Sequence, residues 1–168
     1  MFQIGQTVIY GMEGVCTIEE RKVMKVGRAR ASYFVLRPVY RATSTIFVPE
    51  DNALLLSKMR PLLSAEEISA ILRDAPLEEV LWIEDPAERK TEYQKILCGG
   101  ERLWIIRLLR TLHLHRDRLE DRGKHLRTGD EQMLRDGEKL LHDEFALVLN
   151  ISQQEVPDYI RSQIQLSA

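Results

Sequence analysis

An α+β fold, a small N-terminal β-barrel followed by a C-terminal all-α helical bundle, is predicted by three observations on this 168-residue chain. Apolar residues alternate at every second position up to about Arg60, and from there to the end they recur at spacings of three and four. Turn residues (Gly11, Gly14, Gly27 and the Pro49-Glu50-Asp51-Asn52 run) punctuate the first part, whereas helix-start signatures punctuate the second. The change of period divides the chain into a barrel domain, 1–60, and a helical domain, 61–168.

Short β-branched strands are predicted at Thr7–Tyr10, Val15–Val23, Ser32–Arg37 and Thr45–Val48, with a fifth at Ala53–Leu56. Strands of this length on tight turns make an SH3-like or Tudor-like barrel. In Thr45-Ile46-Phe47-Val48 the alternation puts Ile46 and Val48 on one face and Thr45 and Phe47 on the other. With Ile46 and Val48 in the core, Phe47 is either an exposed interface anchor or is covered by the helical part of the same chain.

Helices are predicted near 65–73, 77–82, 86–97, 101–120, 129–149 and 153–165. Ser64-x-x-Glu67, Thr128-x-x-Glu131 and Ser152-x-x-Glu155 have the form of capping boxes, and Asp85-Pro86 places Pro at a first helical position. Apolar stripes follow: Leu103, Ile106, Leu109 or Arg110, and Leu112 on the fourth, and Met133, Leu134, Leu140, Leu141, Phe145 and Val148 on the fifth. Gly99-Gly100 separates two helices, and 121–127 is a charged loop.

With 44% hydrophobic residues the chain can build real cores. No run approaches the ~18 apolar residues of a membrane span, and the opening Met1-Phe2-Gln3-Ile4-Gly5 lacks the pattern of a signal peptide, so a cytoplasmic protein is expected. Cys16 and Cys98 are the only cysteines, far apart, and imply neither a disulfide framework nor a zinc site. The net charge of −2 is segregated: nine Lys/Arg face five Asp/Glu in 1–60, four face nine in 61–98, eight face four in 99–127, and three face eight in 128–168. A nucleic-acid binder of this kind would use local basic faces.

No phosphate loop, dinucleotide fingerprint, nucleophile elbow or HExxH is present, and no cofactor or metal is implied. His113 and His115 stand two apart on a helix, roughly 200° around it, and cannot share a metal. A nucleophile built from Cys98 and a histidine has nothing that selects it. Trp82, in Val80-Leu81-Trp82-Ile83, is either core or an apolar wedge against nucleic-acid bases, with Arg89, Lys90 and Lys95 on the next helix supplying charge. Trp104, in Leu103-Trp104-Ile105-Ile106, reads as core. The cations from Arg102 to Arg127 form either a phosphate-contacting stripe or a solvated helix face, with Glu101, Asp117, Glu120 and Asp121 interleaved.

Several stretches taken in order resemble the CarD/CdnL family of bacterial transcription regulators, whose N-terminal module is shared with the transcription-repair coupling factor. They are Phe2-x-Ile4-Gly5-x-x-Val8-x-Tyr10, Gly14-Val15, Tyr33-x-Val35-Leu36, Ile46-x-Val48-Pro49-x-x-Asn52-Ala53, then Trp82, Lys95-Ile96-Leu97 before Gly99, and Leu108-Leu109. The resemblance implies a Tudor-like domain that docks on the RNA polymerase β subunit and a helical domain that meets promoter DNA at the upstream edge of the transcription bubble. It implies that Trp82 wedges into the minor groove there. In many members basic residues just after the Trp support it, whereas here Glu84, Asp85 and Glu88 intervene before Arg89 and Lys90. It places the polymerase-facing surface on Thr45–Val48 and the hairpin before it, through Arg21, Met24, Thr45 and Phe47. The expected protein is thus a non-enzymatic, monomeric regulator brought to the nucleoid by polymerase, weak and non-specific on DNA by itself. The alternative is a protein-only adaptor in which Trp82 is core.

Overall fold

The computed structural model describes residues 1–74 and 79–166, with the side chains from 165 onward left aside. The chain divides into two compact units, Met1–Leu63 and Ser64–Ala168.

The first unit is an antiparallel sheet of β1 (Thr7–Tyr10), β2 (Gly14–Val26), β3 (Ala29–Pro38), β4 (Ile46–Pro49) and β5 (Met59–Pro61), in the order β4-β3-β2-β1-β5. Its core draws on every strand: Val8, Cys16, Ile18, Phe34, Leu36, Val48 and Met59. The partly buried side chains around them (Phe2, Tyr10, Ile46, Leu55, Leu56) also come from this unit. A single helical turn cannot cover a flat sheet, so one sheet that fully buries Val8, Ile18, Leu36 and Val48 has to curl around them as a small barrel.

Two sequence expectations change here. Ala53–Leu56 is a one-turn helix, α1, not a strand, because the Asn52 side chain accepts from the Leu55 N–H and caps it. The fifth strand is instead Met59–Pro61, which pairs with β1 through Val8–Pro61, Ile9–Arg60 and Tyr10–Met59.

Register decides which side chains share a face. A β-bulge between Ile18 and Glu20 makes Glu19 the extra residue of β2. Up to Ile18 the core side of β2 carries Cys16 and Ile18. Beyond the bulge Arg21 sits opposite core Phe34, whereas Glu20, Lys22 and Met24 oppose Val35, Tyr33 and Ala31. Val35 in turn opposes Phe47. Met24 and Phe47 therefore share the outer face, and Arg21 lies on the other. Arg37 clamps the bulge: its Nε and Nη2 donate to Glu19 Oε1 (2.5 Å) and Oε2 (3.1 Å), and its Nη1 donates to the Ala42 carbonyl ahead of β4.

The second unit holds α2 (Ala65–Asp74), α3 (Pro86–Gly99), α4 (Arg102–Glu120), α5 (Thr128–Leu149) and α6 (Val156–Leu166). The Ser64–Glu67 and Ser152–Glu155 boxes form reciprocally, the second on a short 3-10 turn that leads into α6. Asp85 caps α3 at the Glu88 N–H. The Thr128 box does not form: α5 starts at Thr128 itself, with Arg127 in the cap position and no side-chain cap. Of the helix expected at 77–82, residues 77 and 78 lie outside the described residues, and 79–83 form neither helix nor strand.

The core of this unit takes Ile68 and Leu72 from α2, Tyr93 and Leu97 from α3, Ile105, Leu108 and Leu112 from α4, and Met133, Leu141 and Phe145 from α5. Gly137 lets three helices meet, since a Cβ there would come within 2.7 Å of Leu109 Cδ2 and 3.1 Å of Leu97 Cδ2. Trp104 is a correction. Read from sequence as core, it is 48% exposed, because Ile105, Ile106, Leu108 and Leu109 occupy the inward arc and leave the indole outside it, under the Arg107 guanidinium at 5.1 Å.

Candidate nucleic-acid interface

Trp82 lies in an irregular segment ahead of α3 that side chains of neighbouring helices hold by its backbone. Thr111 Oγ1 accepts from the Val80 N–H (3.0 Å) while donating to the Arg107 carbonyl (2.9 Å). Tyr93 Oη donates to the Leu81 carbonyl (2.9 Å). Arg89 Nη1 donates to the carbonyls of Ile83 (2.8 Å) and Glu84 (3.1 Å). Four of the five residues from 80 to 84 of this irregular stretch are thus tethered by their backbone, and such a stretch can be held as firmly as a helix.

The indole is half-buried. His115 stacks on it with centroids 3.6 Å apart and planes 18° apart, Arg89 stands over it at 4.4 Å, and Tyr93 meets it edge-on at 6.3 Å. These neighbours fix the ring system, and the residue as a whole stays partly exposed to solvent. Trp82 is therefore neither the buried core residue nor the helix-end side chain that its sequence context allows.

Arg89 needs the largest revision among the expected DNA contacts. It is 3% exposed, and its Nε and Nη2 donate to Asp130 Oδ1 (2.8 Å) and Oδ2 (2.6 Å). The Asp130 hydrogen bonds hold the guanidinium charged. Buried, and with four of its five N–H groups bonded inside the unit, Arg89 is turned away from solvent and holds the segment that carries Trp82. Lys90 and Lys95 are exposed on α3, Lys95 bridging to Glu92 at 2.8 Å. Beside them Glu84, Asp85 and Glu88 are exposed as well. In the α4 block, Arg102 forks onto Glu144 (2.8 and 3.0 Å) and Arg116 donates to His113 Nδ1 (2.9 Å), whereas Arg118, Arg122, Lys124 and Arg127 are exposed. The two histidines point apart: His113 Nε2 meets Glu138 at 2.6 Å, and His115 lies on Trp82.

Tyr93, Thr111 and Asp130 were not singled out by sequence, and His115 was considered only with His113 as a metal pair. Yet Tyr93 and His115 meet the Trp82 ring, and Thr111 and Asp130 bond its neighbours Val80 and Arg89. Asp130, in the first turn of α5, is 41 residues from Arg89, and no local pattern joins them.

Burial, and then Arg89, push the His115 pKa below the ordinary 6.5, and burial does the same for His142. Below about pH 6.5 the unfolded chain takes up protons that the folded one refuses. The stabilisation is then full above the ordinary His value and declines as the pH drops toward the lower folded values. Melting temperature is expected to fall between about pH 7.5 and pH 5, and to fall less in His115→Gln. An unchanged slope in that variant would assign the loss to other groups. Glu19, held low by Arg37, acts only below its ordinary 4.5.

In the first unit, β4 is an edge strand of the sheet. Phe47 is 44% exposed and Thr45, just before the strand, is exposed too, while Val48 is fully buried. Met24 is partly buried on the Phe47 face. Arg21, on the opposite face, stands 5.2 Å from the Phe34 ring centroid and forks onto Glu50 (2.5 and 3.0 Å). The four side chains expected to meet polymerase are thus split between the two faces.

Two family models match in succession: the CarD-like/TRCF RID domain over residues 2–62 and the CarD C-terminal domain over 67–161. The chain belongs to the CarD family. A search of curated proteins returns no match. CarD-family domains make this chain an RNA polymerase-interacting transcription regulator, and they are regulator and adaptor modules, not enzymes. Of this CarD protein's thiols, Cys16 is buried and pushed up to about 12, and Cys98 is exposed. Among the described residues no helix is long and apolar enough to cross a membrane.

Proposed function

We propose that residues 1–63 dock on the β subunit of RNA polymerase and that residues 64–168 present Trp82 to promoter DNA at the upstream edge of the bubble, changing open-complex stability. The observation that carries this is the partly exposed Trp82, held by His115, Tyr93 and the buried Arg89–Asp130 pair. A wedge needs a large flat side chain whose rotamer is already chosen, because an indole that must be ordered on contact loses binding free energy to conformational entropy. Lys90 and Lys95 are the exposed cations on the adjoining helix and supply phosphate contacts. The effect on melting is differential binding: contacts available only to unstacked DNA shift the equilibrium by RT ln of the affinity ratio and no more.

The polymerase contact is assigned to the β4 edge and its outer face. An edge strand offers unpaired backbone groups to a partner strand, and Phe47 and Met24 supply side-chain anchors. Arg21, turned to the other face and paired with Glu50, is left out of this surface. Phe47→Ala is expected to weaken binding of an isolated β-lobe fragment about thirtyfold, from a truncation cost of ~2 kcal/mol at an interface centre. The melting temperature should stay unchanged, because the ring lies outside the barrel core. Unchanged affinity moves the docking site elsewhere.

DNA binding without polymerase is expected to be weak and insensitive to sequence, with a log–log salt slope of only a few contacts at roughly −0.9 each, measured by fluorescence anisotropy. A nanomolar, sequence-specific complex would contradict it. The exposed carboxylates of Glu84, Asp85 and Glu88 favour a second reading, in which the Trp82 surface binds a protein. Crosslinking from position 82 in the assembled promoter complex separates the two by whether DNA or protein is labelled.

A further inference from the structure

Away from Trp82, a cavity of about 460 Å³ opens between α4, α5 and α6, within the range of roughly 300–1,000 Å³ typical of small-molecule sites. Its floor is aliphatic, formed by Ile106, Leu109, Leu141 and Ile160, and the imidazoles of His113 and His142 also line it. Its rim is charged but unevenly satisfied. Arg116 donates to His113, which meets Glu138, and it also lies 3.8 Å from Asp117. Arg161 is bonded to Asp158. The Nε of Arg116 and that of Arg110 are both shut off from solvent without an acceptor among the described residues, and Arg110 differs in that no carboxylate among them pairs with its guanidinium either. A guanidinium at the edge of an apolar cavity with its inner N–H unmet carries an unmatched demand for a hydrogen-bond acceptor.

We infer that this cavity binds a small amphiphilic anion, a carboxylate on an unbranched aliphatic chain, with the carboxylate on Arg110 and the chain on the α4–α5–α6 floor. Charge and shape select that class together. Among the described residues Arg110 is the rim guanidinium without an acidic partner, which calls for an anion, and the aliphatic floor suits a flexible chain. Nothing in this inference depends on the assignment of Trp82 or of the β4 edge.

Decanoate is the probe, titrated into the full chain below its aggregation concentration and followed by calorimetry and by backbone amide shifts. Saturable binding is expected, with shifts confined to α4, α5 and α6 and at least a tenfold preference over decyltrimethylammonium, which reverses the head charge on the same chain. Arg110→Gln should lower decanoate affinity tenfold or more, and Ile160→Trp, which fills the floor, should remove binding; thermal melts establish that each variant is folded. Absence of saturable binding by the wild type, or equal binding of the two head groups, would overturn the inference, and both readouts need no variant. Retained affinity in folded Arg110→Gln would overturn the assignment of the carboxylate.

Discussion

Arg89→Ala is expected to destabilise the helical unit by about 3–5 kcal/mol, the cost of stranding one partner of a buried ion pair. Asp130 is as buried as Arg89, at 6% against 3% side-chain exposure, and no solvent is at hand to replace the guanidinium. The substitution also removes the donors to the Ile83 and Glu84 carbonyls and the cation over Trp82. For a unit of about a hundred residues, each kcal/mol moves the melting temperature by roughly 4–8 °C, so its transition should drop by more than about 10 °C. The double variant Arg89→Met/Asp130→Leu should recover much of that stability, since a buried pair can be replaced by apolar groups of similar volume at little cost. It should not recover the placement of Trp82, whose anchored segment loses both carbonyl donors. Stability regained without DNA-dependent function is therefore the expected signature of a positioning role. A melting transition unmoved in Arg89→Ala would contradict the buried pair.

How much of this could be read from the sequence follows from which forces are local. Alternation at period two and stripes at spacings of three and four placed four strands and five helices close to where they lie, because one-sided burial dictates both patterns. Ala53-Leu54-Leu55-Leu56 has no period to read, and the Asn52 cap that decides its state resembled a turn residue. Met59-Arg60-Pro61 is too short to signal a strand before its partner is known. The bulge at Glu19 flips the outward set of β2, so the opposite faces of Arg21 and Met24 follow only from register with β3. Trp104 was misjudged because Leu103-Trp104-Ile105-Ile106 is apolar all round, and one face of a turn can bury only part of it. At the candidate site, Trp82 itself was legible as an isolated aromatic before a cap. The parts that make it a presented side chain are contacts between α3, α4 and α5 across long separations, and Arg89, Asp130 and His115 carry no local mark of them.

The second large effect expected is at Trp82 itself. Because Trp82 is partly exposed, Trp82→Ala should cost less than the ~3–5 kcal/mol of a fully buried aromatic and leave the chain folded. Polymerase binding through the β4 edge should persist, because the two proposed contact sites lie in separate compact units. The most direct test is the lifetime of promoter open complexes, measured by competitor challenge with polymerase alone, with the wild-type chain and with Trp82→Ala at saturating concentration. The expected result is that the wild type changes the lifetime and the variant loses most of that change while still binding polymerase. A folded, polymerase-bound Trp82→Ala that changes the lifetime as fully as the wild type would contradict the assignment of Trp82 to DNA.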